Sequence, residues 1–169
     1  STMAILPIIK APDPILKKRC NPVDKVDDGL RQLMDDMLET MYAAPGVGLA
    51  ASQIGVHKRV IVVDTSDPEG NRQPLMMANP ESSVASDELL LREEGCLSFP
   101  DQYEDVERPA TVRVRYLDHE NEIRELDAEG LQAVCVQHEI DHLDGVLLVD
   151  HLSGLKRSII LRKMTKLKK

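Results

Sequence analysis

The run Cys135-Val136-Gln137-His138-Glu139-Ile140-Asp141-His142-Leu143-Asp144-Gly145 constrains this chain more than any other stretch. Histidines at i and i+4 of a helix share one face and can hold one metal ion, and the glutamate between them stands close enough to handle a proton. His138 and His142 are therefore candidate ligands and Glu139 a candidate base. Hydrolytic metal sites use about three protein ligands and keep one position for water, so a third donor has to be found elsewhere.

The peptidase pattern HExxHxxGxxH is followed as far as Gly145, but its third-histidine position holds Leu148, which cannot bind a metal. A downstream glutamate ligand is also missing, because no acid follows Asp150. His57, His119 and His151 sit in a pre-strand segment, a polar turn and a linker, and read as ordinary surface or capping histidines. Two cysteines remain. Cys135 is one turn before His138, and three ligands from one helix give poor tetrahedral spread. Cys96, in EEGCLSFP, follows a glycine in a loop that can bring its thiolate in from another direction. The geometry favours Cys96 and leaves Cys135 open, with the small buried hydrophobe as its plainer role.

The elements around these residues can be placed from their periodicity. Between Asp27 and Ala44, Leu30, Leu33, Met34, Met37, Leu38 and Met41 recur at three and four, which predicts an amphipathic helix stopped by Pro45-Gly46. Residues 59–64 and 111–118 read as strands, and HENE turns the second into IREL. SDPEGNRQP and SSVASDE read as loops. A helix is expected from Asp127 or Ala128 to Gly145 at C′. Strands grouped between an early helix and two late ones imply an α+β fold. At 169 residues and 42% hydrophobic, the chain suits one domain spanning 1–169, with Ser1 and Thr2 ahead of what reads as the natural start at Met3.

Charge and cysteine usage narrow the setting. The net charge of −8 argues against a DNA-binding protein, yet seven bases and no acid follow Asp150, leaving 14 bases against 29 acids, a net −15, on the body. Leu152, Leu155, Ile159 and Leu167 give this basic segment, 152–169, an apolar stripe at helical spacing, so packing and docking to an anionic surface such as RNA are both expected of it. Three unpaired cysteines point to a reducing cytoplasm, and no stretch approaches a membrane span of roughly 18 apolar residues.

PGVGLAASQIG, residues 45–55, describes backbone that runs close to a neighbour without bulky side chains in the way. On its own it suits a plain connection from helix to strand, although Gln53 can offer an uncharged hydrogen-bond donor. GVGLAASQ, EGCLS and QHEIDHLDG together, in this order and at these separations, resemble the three signature motifs of the peptide deformylases, from about Met3 to the basic C-terminal helix.

The resemblance implies mostly antiparallel sheets packed around a central metal-binding helix, with an N-terminal and a C-terminal helix. It implies Cys96, His138 and His142 as metal ligands, Glu139 as acid and base, and Gln53 with the backbone N–H of Leu97 as donors to the developing oxyanion. Val47, Gly48 and Gly95 would pair their backbone with an extended peptide. Leu131, Val134 and Cys135 would line a pocket for methionine. The reaction would remove the formyl group from N-formylmethionine on new polypeptides and release formate, with an activated water as attacking group. One divalent metal is implied, Fe(II) in the cell, and Zn(II), Ni(II) or Co(II) would suit the same donors. Ribosome docking through the basic helix follows as an expectation. Two rival readings are a peptidase and a structural zinc module with Cys135 as fourth ligand.

Overall fold

The computed structural model describes residues 4–168; Ser1, Thr2 and the natural start expected at Met3, with Lys169 of the basic tail, lie outside them. Helix α1 (Asp28–Ala43) starts where the periodicity predicts, with the Asp27 carboxylate accepting the Leu30 N–H at 2.9 Å. Strands β1 (Gly48–Ala50), β2 (Val60–Val63), β3 (Leu75–Val84), β6 (Thr111–Leu117) and β7 (Ile123–Glu129) form an antiparallel five-stranded sheet in the order β1-β2-β3-β6-β7. Strands β4 (Leu89–Cys96) and β5 (Phe99–Pro109) form a separate hairpin. Helices α2 (Gly130–Leu143) and α3 (Gly154–Lys168) complete the α+β fold.

The strand period of two distributes β2 between two layers. Val60 and Val62 join Leu30, Met34, Met37 and Met41 of α1, while Ile61 and Val63 face α2. Each such fully buried Leu, Met or Val contributes roughly 1.5–3 kcal/mol over an exposed one. Ala133, Val136, Ile140 and Leu143 of α2 pack on Met77, Val112, Val114 and Ala128 of the same sheet. Nine of the fourteen α2 residues are buried, which makes it the central helix of the fold.

Three expectations for local structure need correcting. The segment expected as a loop at SSVASDE is half strand: residues 82–84 extend β3 and pair with β6 before the chain turns. Asp127 and Ala128 do not start the helix but pair with Arg113 and Val112 in β7, and the strand passes directly into α2 through Gly130, whose φ of +57° lies in the left-handed region. The apolar stripe of α3 is also shifted. Ile160 and Met164 are buried against Phe99, Leu148 and Val149, whereas Leu155, Ile159 and Leu167 are exposed, because the helix docks through a face one residue further round. Gly145 does end α2 at φ +74°, and a Cβ there would lie 2.2 Å from the Lys17 carbonyl oxygen.

Candidate metal centre

Helix α2 carries His138 and His142 one turn apart, with ring centroids 5.1 Å from each other. The third donor comes from the β4–β5 hairpin. Its pairing shifts register between Gly95 and Cys96, so that Cys96 opposes Phe99 across the two-residue link Leu97-Ser98 and points its thiol at α2. Cys96 Sγ lies 3.3 Å from His142 Nε2, and the donor atoms of Cys96, His138 and His142 all lie within 4.8 Å of one another. Donors bound at about 2.0–2.3 Å to one tetrahedral ion stand roughly 3.5 Å apart, so this trio fits a divalent cation of intermediate softness.

The surroundings fit such a charge as well. Glu94 Oε1 meets His138 Nδ1 at 3.0 Å, which leaves Nε2 of that ring for the cluster. Arg108 holds Glu94 with two N–H donors, at 2.6 and 2.9 Å, and gives a third to Asp141 at 2.9 Å. Burial pushes the Glu94 carboxyl up, but the hydrogen bonds from His138 and Arg108 win and hold it at about 2. Burial works against charge on His138 too, yet Glu139, Cys96 and Glu94 raise its pKa well above the usual value. Surroundings that favour a proton there would equally favour a metal cation. His142, buried and beside a charged His138, is held neutral with its pKa well below normal.

Glu139 lines a cavity of about 860 Å³ together with Cys96 and His138. Burial above all pushes its carboxyl up to about 7, within reach of both protonation states near neutrality. Its Oε1 is buried with no protein partner among the described residues. Gly48 makes room for this carboxylate, since a Cβ on it would come 2.5 Å from Glu139 Oε2.

The other sequence-derived candidates separate into two groups. Val47, Gly48, Gly95, Leu97, Leu131, Val134 and Cys135 line the cavity, whereas Gln53 and His142 stand behind its wall, 1% and 0% exposed. Cys135 is outside the donor trio, and burial, then the charge on Glu139, pushes its thiol up to about 12, so it serves the wall as an apolar thiol and the four-ligand module has no fourth donor there. Leu148 is 1% exposed in the apolar cluster under α3, where the longer peptidase pattern would need a ligand. The histidines set aside are occupied elsewhere: His57 bonds the Ile15 carbonyl, His119 meets Asp35, and His151 meets Asp141.

Sequence reasoning missed Ser98. Its hydroxyl is fully buried, accepts from Gln53 Nε2 at 3.0 Å and donates to the Ile9 carbonyl at 2.7 Å. The available signal was its place two residues after Cys96, but serines are too common in turns for that to single it out.

Residues 5–158 match the family model described as polypeptide deformylase. The chain is 59% identical to the peptide deformylase of Phenylobacterium zucineum (strain HLK1), with 97% of each chain covered. It is 56% identical to that of Cellvibrio japonicus (strain Ueda107), covering 97% of this chain and 96% of that one. The crystal structure of peptide deformylase from Ehrlichia chaffeensis in complex with actinonin superposes with a TM-score of 0.94 at 40% identity, covering 99% of both chains. With the match spanning the hairpin that supplies Cys96 and the helix that supplies both histidines, the chain belongs to the polypeptide deformylase family.

Proposed function

We propose that this chain is a metal-dependent hydrolase that removes the N-formyl group from N-formylmethionine at the start of new polypeptides, releasing formate. The observation that carries this reading is the trio Cys96, His138 and His142 within 4.8 Å, its third donor coming from the hairpin and not from beyond α2. A bound divalent cation, Fe(II) in the cell with Zn(II), Ni(II) or Co(II) as substitutes, would supply an acidified water and polarise the formyl oxygen.

The protein's own groups do the rest. Glu139 takes the proton of the attacking water and delivers it to the departing amine. Gln53 Nε2 and the Leu97 N–H receive the developing oxyanion; one such donor is typically worth about 3 kcal/mol. The Val47 carbonyl is taken by the Asp64 N–H at 2.8 Å, so Val47 would pair with substrate through its N–H, alongside the main chain of Gly48 and Gly95. This edge pairing ignores side chains, while Leu131, Val134 and Cys135 select an unbranched apolar one. Such a division suits an enzyme acting on many different chains.

Several supports bear on its setting. The three cysteines are free thiols, in keeping with a reducing cytoplasm. No described helix is long and apolar enough to cross a membrane. Helix α3 presents Lys156, Arg157, Arg162, Lys163, Lys166 and Lys168, with Leu155 and Ile159 exposed between them, a surface suited to ribosomal RNA. The chain, 1–169, is read as one catalytic domain that includes this helix, whose Ile160 and Met164 are part of the core.

Release of formate from a formyl-methionyl peptide by the metal-loaded protein is the deciding measurement. Formate in proportion to new free amine is expected. Cleavage of an unformylated peptide without formate release would overturn the assignment.

A further inference from the structure

Gln53 is buried within the fold behind the cavity wall, and its usefulness as a donor depends on which way its amide faces. A carboxamide can turn over with almost no change of shape, exchanging its NH₂ donor for a carbonyl acceptor. Two neighbours settle the choice by chemistry that cannot be reversed. The Ala50 N–H can only donate, and it does so to Gln53 Oε1 at 2.9 Å. On the other side stands Ser98 Oγ, 3.0 Å from Nε2.

A serine hydroxyl could in principle meet either end of the amide, but this one has no hydrogen to spare. Its single proton is directed to the Ile9 carbonyl at 2.7 Å, which can only accept. Ser98 therefore faces Gln53 with lone pairs, and only the NH₂ end can use them. One Nε2 hydrogen goes to Ser98, and the other is aimed toward Cys96 Sγ, 3.7 Å away, and so toward the ligand trio. The frame is closed by main-chain bonds from Ile9 N–H to the Gln53 carbonyl at 2.7 Å and from Ala11 N–H to the Ser98 carbonyl at 2.8 Å.

Resting on the oxyanion assignment of Gln53 above, we infer that Ser98 is a positioning residue for the reaction, a hydroxyl whose proton is committed to Ile9 so that it can fix the Gln53 amide with a hydrogen aimed at the metal centre. Ile5, Leu6, Ile8 and Lys10 line the cavity, so the same hydroxyl also ties the amide to the N-terminal segment that forms part of the cavity wall. Loss of Oγ leaves an amide hydrogen and a main-chain carbonyl without their partner in a fully buried place, and leaves the amide with the Ala50 bond to Oε1 but without its second anchor, so that it is held less firmly.

A double-mutant cycle on the metal-loaded enzyme tests this, with kcat, KM and metal content measured on a formyl-methionyl peptide. Ser98→Ala should lower kcat by about tenfold, less than the roughly hundredfold loss typical when an oxyanion donor is removed outright. KM and bound metal should stay close to the parent. In a Gln53→Ala background, Ser98→Ala should cost nothing further, because there is no amide left to aim. The inference is overturned if Ser98→Ala keeps the parental kcat, or if it lowers kcat by the same factor with and without Gln53. If Gln53→Ala itself keeps the parental kcat, the oxyanion assignment falls, and the inference with it; a slow Gln53→Ala beside a normal Ser98→Ala removes only the inference. Should Ser98→Ala fail to fold by circular dichroism, Ser98→Cys, with a weakly accepting sulfur in nearly the same space, enters the cycle in its place.

Discussion

Gly48 and Glu139 occupy one another's space: a Cβ on the glycine would lie 2.5 Å from Oε2 of the glutamate. The edge strand and the central helix can approach this closely only because residue 48 has no side chain. Gly48→Ala should therefore keep the fold and the metal but push the Glu139 carboxylate out of line. A loss of about a hundredfold in kcat is expected, the scale of an ångström-sized misplacement. Formate release together with metal analysis checks it, and an unimpaired Gly48→Ala would show that the carboxylate position is not critical.

Glu139→Gln keeps the shape of the side chain and removes its ability to take a proton. Turnover should fall by about 10²–10⁴-fold while metal content stays at the parental level. Metal analysis alongside kinetics separates this from a ligand effect, and a Gln variant that lost its metal would move Glu139 from proton carrier to ligand.

The two cysteines near the centre should behave differently. Cys96→Ala removes one of three donors and should lose or greatly weaken the metal, whereas Cys135→Ala should retain it and change only the grip on methionine. The Cys135 thiol, pushed up to about 12 by burial, should also resist alkylation by iodoacetamide at pH 8 in the folded protein. Mass-spectrometric mapping of the modified sites reads this out, and tight metal binding by Cys96→Ala would refute the ligand set.

Acid stability should depend on Glu94. Its carboxyl is held at about 2, below the ordinary 4.5, so its folded-state pKa is depressed. Its contribution is then complete above about pH 4.5 and disappears as pH falls toward 2. From the linkage relation this is at most roughly 3 kcal/mol. Urea unfolding across that range should show Glu94→Gln less stable than the parent near neutrality, with the difference shrinking in acid. A difference that is constant from pH 7 to pH 3 would show that the carboxylate's charge plays no part.

The helices and the α+β class were legible because their signals are local. The Leu30 to Met41 spacing and the Asp27 cap are properties of short stretches, and so is the pair of histidines on α2. Element boundaries were harder to read where tertiary pairing overrides local preference. Asp127 and Ala128 look like the start of a helix, yet their cross-strand partners on β6 hold them extended until Gly130. On α3 the sequence offers two apolar faces, and only contact with Phe99 and Leu148 selects Ile160 and Met164 over Leu155 and Ile159. Cys96 could be favoured from its loop context but not proved, since its distance from His142 is created by the hairpin's register shift. Ser98 was invisible for a related reason: its importance lies in where its one proton goes.

Cys96 and His142 are 46 positions apart along the chain, yet 3.3 Å apart in space. A cation gripping both would act as a clasp across β5, β6, β7 and α2, every element made between them. During synthesis such a clasp can close only after the last of these has emerged and docked, so metal uptake would report that a nascent copy has brought its hairpin and central helix together, with only the Leu147 to Met164 part of its interior still to be laid down.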